Sequence, residues 1–81
     1  MNEFTIFVGM KSEVTIDISV DEFEKRAVGL LAEGFSVPGI GKEIKKESRY
    51  VEYRLGKLKT RLQCSTASQL VAFFIRNKLI D

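Results

Sequence analysis

Residues 48–62 limit the possible folds of this chain more than any other segment, because their apolar side chains recur at the spacing of one helix face. Four of them stand at i, i+4, i+7 and i+11, which is a single stripe on an α-helix: Val51, Leu55, Leu58 and Leu62. No proline or turn dipeptide interrupts the segment. We therefore predict a helix here with one side in the core. The residues turned away from the stripe form its outward face: Arg49, Glu52, Tyr53, Gly56, Lys57 and Thr60.

Two further helices are predicted before this one. The first covers about residues 20–33, because Ser19 and Glu22 match the S-x-x-E capping box at a helix start and Gly34 matches the glycine at a helix end. The second is short and runs from Ser36, a good N-cap residue, to about Lys45. A tight turn must then lead into the helix over 48–62.

The short second helix contains two glycines, Gly39 and Gly41. Each weakens a helix by up to ~1 kcal/mol relative to alanine. Glycine is tolerated inside a helix where another backbone approaches closely. We therefore expect such a close approach at this helix.

A fourth helix is predicted over about 66–77, with Ser65 as its N-cap. Its apolar residues cover more than one stripe, which indicates either a deep position in the core or a second partner. Leu70 and Phe74 can fill the core from one side. The apolar residues left over for a partner are Val71, Phe73 and Ile75. That partner is either a second subunit or the N-terminal segment of the same chain.

The N-terminal segment has the alternating apolar pattern of β-strands, at residues 4–8 and 14–18. Gly9 to Ser12 supply turn residues between them, so we predict a β-hairpin. A two-stranded hairpin is barely stable alone and must pack on the helices or pair with another chain. The predicted organisation is therefore an N-terminal β-hairpin extension, 1–18, followed by one helical domain, 19–81.

The composition argues against an enzyme. The 81 residues include no histidine and a single cysteine, Cys64. The chain therefore lacks a disulfide pair, a Cys/His zinc site and a histidine-activated nucleophile, and we expect neither a metal nor another cofactor.

The longest apolar run, 70–75, is far shorter than the ~20 residues that span a bilayer. Glu3 stands where a secretory signal would carry bases. We expect a cytoplasmic protein without a membrane contact.

Charge is distributed unevenly along the chain. Residues 42–61 hold eight bases against three acids, a net +5, whereas residues 1–41 have a net charge of −4. A local basic block of this kind is typical of a surface that binds a polyanion. A solvated helix face could carry the same block, so charge alone leaves both interpretations open.

A specific sequence pattern spans most of the chain. Residues 30–36 read L-L-A-E-G-F-S, and apolar residues follow at fixed spacing through the next two helices. This pattern resembles the LuxR/GerE-type helix-turn-helix domain, whose members read L-L-A-x-G-x-S followed by a valine-centred helix. The match runs without a gap from about Ile18 to Leu70. The resemblance implies a mainly α fold: a four-helix LuxR/GerE-type helix-turn-helix domain, here preceded by the predicted β-hairpin.

Several residues depart from the family pattern. Gly39 replaces its usual glutamate and Gly41 its alanine, so the second helix should be looser. Glu47 replaces the N-cap serine of the third helix, and Arg54 replaces a histidine. Tyr50 stands where the family has threonine. These changes are compatible with the fold, but they make the DNA-facing chemistry particular to this chain.

The resemblance also implies the functional residues. It places Glu52, Tyr53 and Gly56 where family members contact base edges. The residues at phosphate and groove-edge positions are Arg49, Tyr50, Arg54, Lys57 and Arg61. In this family the fourth helix commonly forms the dimer contact, which would involve Val71, Phe73 and Ile75. The side-chain chemistry agrees, because arginine can bind guanine bidentately and glutamate can accept from cytosine N4.

The sequence thus predicts a transcriptional regulator that binds double-stranded DNA sequence-specifically as a homodimer, with the helix over about 48–62 in the major groove. RNA polymerase is a further candidate partner. One alternative is a module like sigma-factor region four, which shares the helix-turn-helix but works bound to polymerase. Another alternative is a protein-interaction module that has lost DNA binding. Glu52 on the outward face and the low net charge of +2 are compatible with this alternative.

Overall fold

The structure, a computed structural model, describes residues 19–80. The predicted hairpin, residues 1–18, lies outside the described residues. Within residues 19–80 the chain forms helices and no strand, so the predicted mainly α fold is confirmed for this part. None of these helices is long and apolar enough to cross a membrane. The four helices are α1 (Glu22–Ala32), α2 (Val37–Ile44), α3 (Ser48–Leu62) and α4 (Ala67–Arg76).

Among the described helices α3 contributes the most residues to the core, four of nine, and every other helix packs on it. The four residues of the predicted apolar stripe are all buried, which confirms both the bounds of this helix and the side that faces inward. Leu70 and Phe74 of α4 are completely buried, as predicted. The remaining core residues come from α1 and α2: Ala27, Val28 and Ile40.

The start of α1 differs from the prediction. Asp21, not Ser19, is the N-cap, and the capping box is formed with Glu24 rather than Glu22. The Glu24 N–H donates to Asp21 Oδ1 at 2.8 Å, and the Asp21 N–H donates to Glu24 Oε1 at 3.0 Å. Aspartate caps a helix about as well as serine, so local sequence permits either start. Arg61 of α3 lies 3.1 Å from the same Glu24 oxygen that accepts the Asp21 N–H, so this tertiary contact favours the start at Asp21.

The end of α1 and the start of α2 follow the prediction. Gly34 adopts φ +96°, a left-handed conformation that glycine accepts without strain. The N–H groups of Gly34 and Phe35 donate to the carbonyls of Leu31 and Leu30, the hydrogen-bond pattern of a Schellman motif. Ser36 then caps α2 by accepting from the Gly39 N–H at 3.2 Å.

The turn between α2 and α3 consists of Lys45, Lys46 and Glu47. A Cβ added to Gly41 would lie 2.5 Å from the carbonyl oxygen of Lys46, so the predicted close approach of a backbone is confirmed there. Gly39 meets no such backbone within residues 19–80, since its three nearest atoms belong to side chains. Gly41 is therefore the residue that lets the chain turn this tightly.

The start of α4 also differs from the prediction, by one residue. Thr66, not Ser65, is the N-cap, and its Oγ1 accepts from the Gln69 N–H at 3.1 Å. The Ser65 N–H instead donates to Gln69 Oε1 at 2.6 Å. Ser65 therefore takes part in the helix start through its backbone, while the threonine hydroxyl acts as the cap.

Candidate nucleic-acid interface

The outward face of α3 is a mostly polar and exposed helix surface. Because side chains on a helix recur every 3.6 residues, burial of the stripe directs Arg49, Tyr53 and Lys57 to the opposite side, and all three are exposed. A shallow depression runs along this side. Its lining consists of Thr60 and five of the predicted DNA-binding residues. These five are Glu52, Tyr53, Gly56, Lys57 and Arg61.

Charged and aromatic groups on this face are available to a partner. The Tyr53 ring is 60% exposed, and Lys57 Nζ lies 5.7 Å from its centroid. Neither Arg49 nor Glu52 forms an ion pair within residues 19–80. The face therefore offers cations, a carboxylate and an aromatic ring within about two turns of the helix.

Gly56 lies in the middle of this face. A Cβ added there would have no atom of residues 19–80 within 4 Å, apart from its chain neighbours and the helix's own backbone. Packing within this part of the chain therefore does not require glycine, although glycine destabilises a helix interior by about 1 kcal/mol relative to alanine. The missing side chain leaves a notch in the outward face.

A second group of cations adjoins the N-terminal end of α3. We call Lys42, Lys45 and Lys46 the basic turn; together with Glu47 and Ser48 they line a shallow depression at the α2–α3 junction. All three lysines are exposed, and none is within ion-pair distance of a carboxylate in the described chain. These lysines were not predicted as site residues, although the basic block of the sequence contains them.

Arg54 does not point to the outward face. Its Nη2 lies 2.7 Å from Asp21 Oδ2, and its Nη1 donates to the Tyr50 hydroxyl at 2.6 Å. The guanidinium also lies 4.5 Å from the centroid of the Phe23 ring, which in turn packs edge-on against Tyr50. The Tyr50 hydrogen bond and the Asp21 carboxylate raise the pKa of Arg54 above its ordinary value.

Arg61 is held in a similar way, although it also borders the outward depression. Its Nη2 lies 3.1 Å from Glu24 Oε1 and donates to the Ser19 carbonyl at 2.9 Å. The Glu24 side chain is only 7% exposed, and Arg54 is also 3.6 Å from it. We call Asp21, Glu24, Arg54 and Arg61 the arginine–carboxylate cluster. Two of the eight predicted DNA-binding residues thus belong to the α1–α3 contact, and Tyr50 contacts it.

The cluster affects the ionisation of Asp21. The pKa of this carboxyl is lowered, chiefly by the hydrogen bond from the Glu24 N–H and further by the hydrogen bond and charge of Arg54. Partial burial opposes this shift. Asp21 therefore stays ionised to a lower pH in the folded chain than in the unfolded chain.

The structure separates the three residues predicted for dimerisation. Val71 and Ile75 lie on one side of α4, where they line a shallow apolar groove with Leu31 and Ala67. Ile75 is 49% exposed. Phe73 lies on another side of α4 and borders a different depression next to Leu62 and Cys64.

Residues 19–80 contain no group of three or more His, Cys, Asp or Glu side chains placed to hold a metal ion. Cys64 is half-buried, and burial raises the pKa of its thiol.

Comparison of the chain with protein-family models, with curated proteins and with solved structures found no match. Function is therefore inferred from the surface of α3, from the turn before it and from the sequence pattern.

Proposed function

We propose that this protein binds double-stranded DNA and regulates transcription, with α2, the basic turn and α3 acting as a LuxR/GerE-type helix-turn-helix. The observation that carries the proposal is a run of cations without carboxylate partners within residues 19–80, from the basic turn to the outward face of α3. Ser48, the first residue of α3, lines the depression of the basic turn, and Arg49 of the outward face follows it directly.

The dimensions of α3 suit the major groove. Its 15 residues correspond to a length of about 22 Å at 1.5 Å per residue. The major groove of B-form DNA is about 12 Å wide and admits an α-helix. In such a complex the buried stripe would hold α3 on the domain while the outward face met the base edges, with the basic turn near the phosphates.

The outward face can also supply specificity. Arg49 can donate two hydrogen bonds to guanine, and Glu52 can accept from cytosine N4. Glu52 is repelled by phosphates, so it is compatible with DNA only where it accepts from a base or excludes one. Gly56 removes a side chain at the centre of the face, where a base edge or sugar can then approach closely.

Binding to duplex DNA tests the proposal directly. We expect the wild type to bind a random-sequence duplex at low salt and to enrich a defined site in a selection from random duplexes. Lys57→Gln should weaken binding on every sequence. Arg76→Gln is the matched control, because it removes one exposed charge from α4, in a depression that contains no residue of the outward face of α3. Absence of duplex binding at low salt, or equal effects of both variants, would contradict the proposal.

A homodimer is part of this proposal. Many helix-turn-helix proteins bind two half-sites about one helical turn apart, so that the symmetry of the dimer matches that of the site. The apolar groove with Val71 and Ile75 is the surface that we propose for this contact. Phe73, on the other side of α4, is left out of it.

A further inference from the structure

We infer that Arg54 and Arg61 are positioning residues that hold α3 against α1, and that the basic turn and Lys57 meet the DNA phosphates instead. The second half of this inference rests on the proposed function. The first half concerns the free protein and stands independently of DNA.

The surroundings of Arg54 leave little of its guanidinium for a phosphate. Asp21 and Tyr50 take up Nη2 and Nη1, at 2.7 and 2.6 Å, and the ring of Phe23 covers one face at 4.5 Å. Only 22% of the side chain is exposed. A phosphate contact would require Arg54 to leave a charge-assisted hydrogen bond and to uncover an aromatic ring.

Arg61 is tied to its position by the carboxylate that it neutralises. Both of its Nη atoms approach Glu24, at 3.1 and 3.5 Å, and the Ser19 carbonyl accepts a third hydrogen bond. The Glu24 side chain is nearly buried. The Arg61 side chain itself is 37% exposed, but moving it to a phosphate would leave this nearly buried carboxylate with only the more distant Arg54 to compensate its charge.

Unlike Arg54 and Arg61, the lysines of the basic turn and Lys57 have no carboxylate partner in the described chain. Lys46 and Lys57 lie over the rings of Tyr50 and Tyr53, at 5.5 and 5.7 Å from the centroids, and both ammonium groups remain without a carboxylate partner in the described chain. Lys42 and Lys45 are exposed and likewise unpaired there. A phosphate can therefore bind these lysines without breaking an ion pair within residues 19–80.

The salt dependence of DNA binding separates positioning from phosphate contact. Each phosphate contact contributes about 0.9 to the slope of log K against log salt concentration. On a random-sequence duplex we expect Lys57→Gln to reduce this slope by about that amount, whereas Arg54→Gln and Arg61→Gln leave it unchanged. If either arginine variant reduces the slope as much as Lys57→Gln does, that arginine contacts phosphate and the inference is overturned for it.

NMR of the wild type covers the case in which an arginine variant does not fold. The side-chain Nε resonances of Arg54 and Arg61 should remain unshifted when the duplex is added, while that of Arg49 on the outward face shifts. The Asp21 carboxyl should also keep its lowered pKa in the complex. A rise in that pKa together with a shift of Arg54 Nε would mean that Arg54 leaves Asp21 for the DNA, against the inference.

The anchoring role of Arg54 can also be tested in the free protein, without DNA, by a double-mutant cycle. Asp21→Asn removes the charge but keeps a good N-cap residue. We expect Arg54→Gln to lower the urea midpoint of the wild type, and to lower it much less in the Asp21→Asn background. Equal decreases of the urea midpoint in both backgrounds would show that the Arg54–Asp21 pair does not anchor α3.

If the wild type binds no duplex, the proposed function and the assignment of the lysines to phosphate are both wrong. The double-mutant cycle then still decides whether Arg54 anchors α3.

Discussion

At the scale of single residues, the glycines within helices differ in whether a neighbouring atom occupies the space of a Cβ. Gly41 is explained within the described chain by the carbonyl of Lys46, which occupies the space of its missing side chain. Gly29 and Gly56 have nothing within 4 Å in residues 19–80 that would exclude a Cβ. Gly56 lies on the outward face of α3, whereas Gly29 lies on α1. The contrast provides two matched tests.

We expect Gly41→Ala to destabilise the fold by about 1–3 kcal/mol, the usual range for overpacking a tight site. A Cβ 2.5 Å from a backbone oxygen forces the turn to move, and the better helix propensity of alanine offsets only part of this. The urea midpoint measures the effect. Gly29→Ala is the control and should raise the midpoint, because it adds helix propensity without a contact. A Gly41→Ala protein as stable as the wild type would show that the turn is not as tight as described.

We expect Gly56→Ala to stabilise the free protein by up to ~1 kcal/mol through helix propensity and to weaken duplex binding. The reason for the weaker binding is that the new methyl group fills the notch on the outward face. Gly29→Ala should stabilise the protein to a similar degree while leaving the dissociation constant unchanged. Urea unfolding curves give the stability of each variant, and fluorescence anisotropy on the same samples gives its dissociation constant for the duplex. Unchanged DNA affinity in Gly56→Ala would exclude a close approach at this position.

At the scale of secondary-structure elements, the arginine–carboxylate cluster joins the N-terminal turn of α1 to the side of α3. Asp21 has two roles there, since it caps α1 through the Glu24 N–H and pairs with Arg54. Glu24 completes the capping box and receives Arg61. The start of one helix and the orientation of another thus depend on the same two carboxylates. The ionisation of Asp21 makes this dependence measurable.

We expect the stability contributed by Asp21 to be lost in acid. Its pKa is lowered in the folded chain, so its contribution is fully present above its unfolded pKa of about 3.9 and is lost as pH falls through the lower folded value. Asp21→Asn should therefore be less stable than the wild type at about pH 6, and the difference should shrink as the pH falls below the unfolded pKa of about 3.9 and through the lowered folded pKa. Urea midpoints between these values measure the difference. A difference that stays constant with pH would mean that the Asp21 charge does not contribute to stability.

At the scale of the whole molecule, the ion pairs between helices and the unpaired cations lie on different parts of the described surface. Asp21 and Glu24 meet one side of α3, while the cations of the basic turn and of the outward face remain without carboxylate partners in the described chain. The second apolar side of α4, with Val71 and Ile75, lies beside the end of α1. The candidate DNA surface and the candidate subunit surface are thus lined by different residues.

We expect Ile75→Glu to shift the protein toward monomer in sedimentation velocity and to weaken binding to a two-half-site duplex. A buried apolar contact between subunits would not accept a charge. Arg76→Glu introduces the same side chain one residue further along, beside Phe73 on the other depression, and should leave the association state unchanged. A wild type that sediments as a monomer at high concentration and binds a single half-site would remove the dimer from the proposal.

The sequence by itself determined the helices, because the rules that start, end and orient a helix act over about four residues. The apolar stripe of α3, the Gly34 terminus and the Ser36 cap depend only on such local spacing. Tertiary structure decided the start of α1 and the roles of Arg54 and Arg61. The partners of these arginines lie 33 and 37 residues away in sequence. Periodicity places a side chain on the flank of a helix but does not specify which neighbour covers that flank. Only packing brought Asp21 and Glu24 to Arg54 and Arg61, leaving the cations of the basic turn and of the outward face without a carboxylate partner in the described chain.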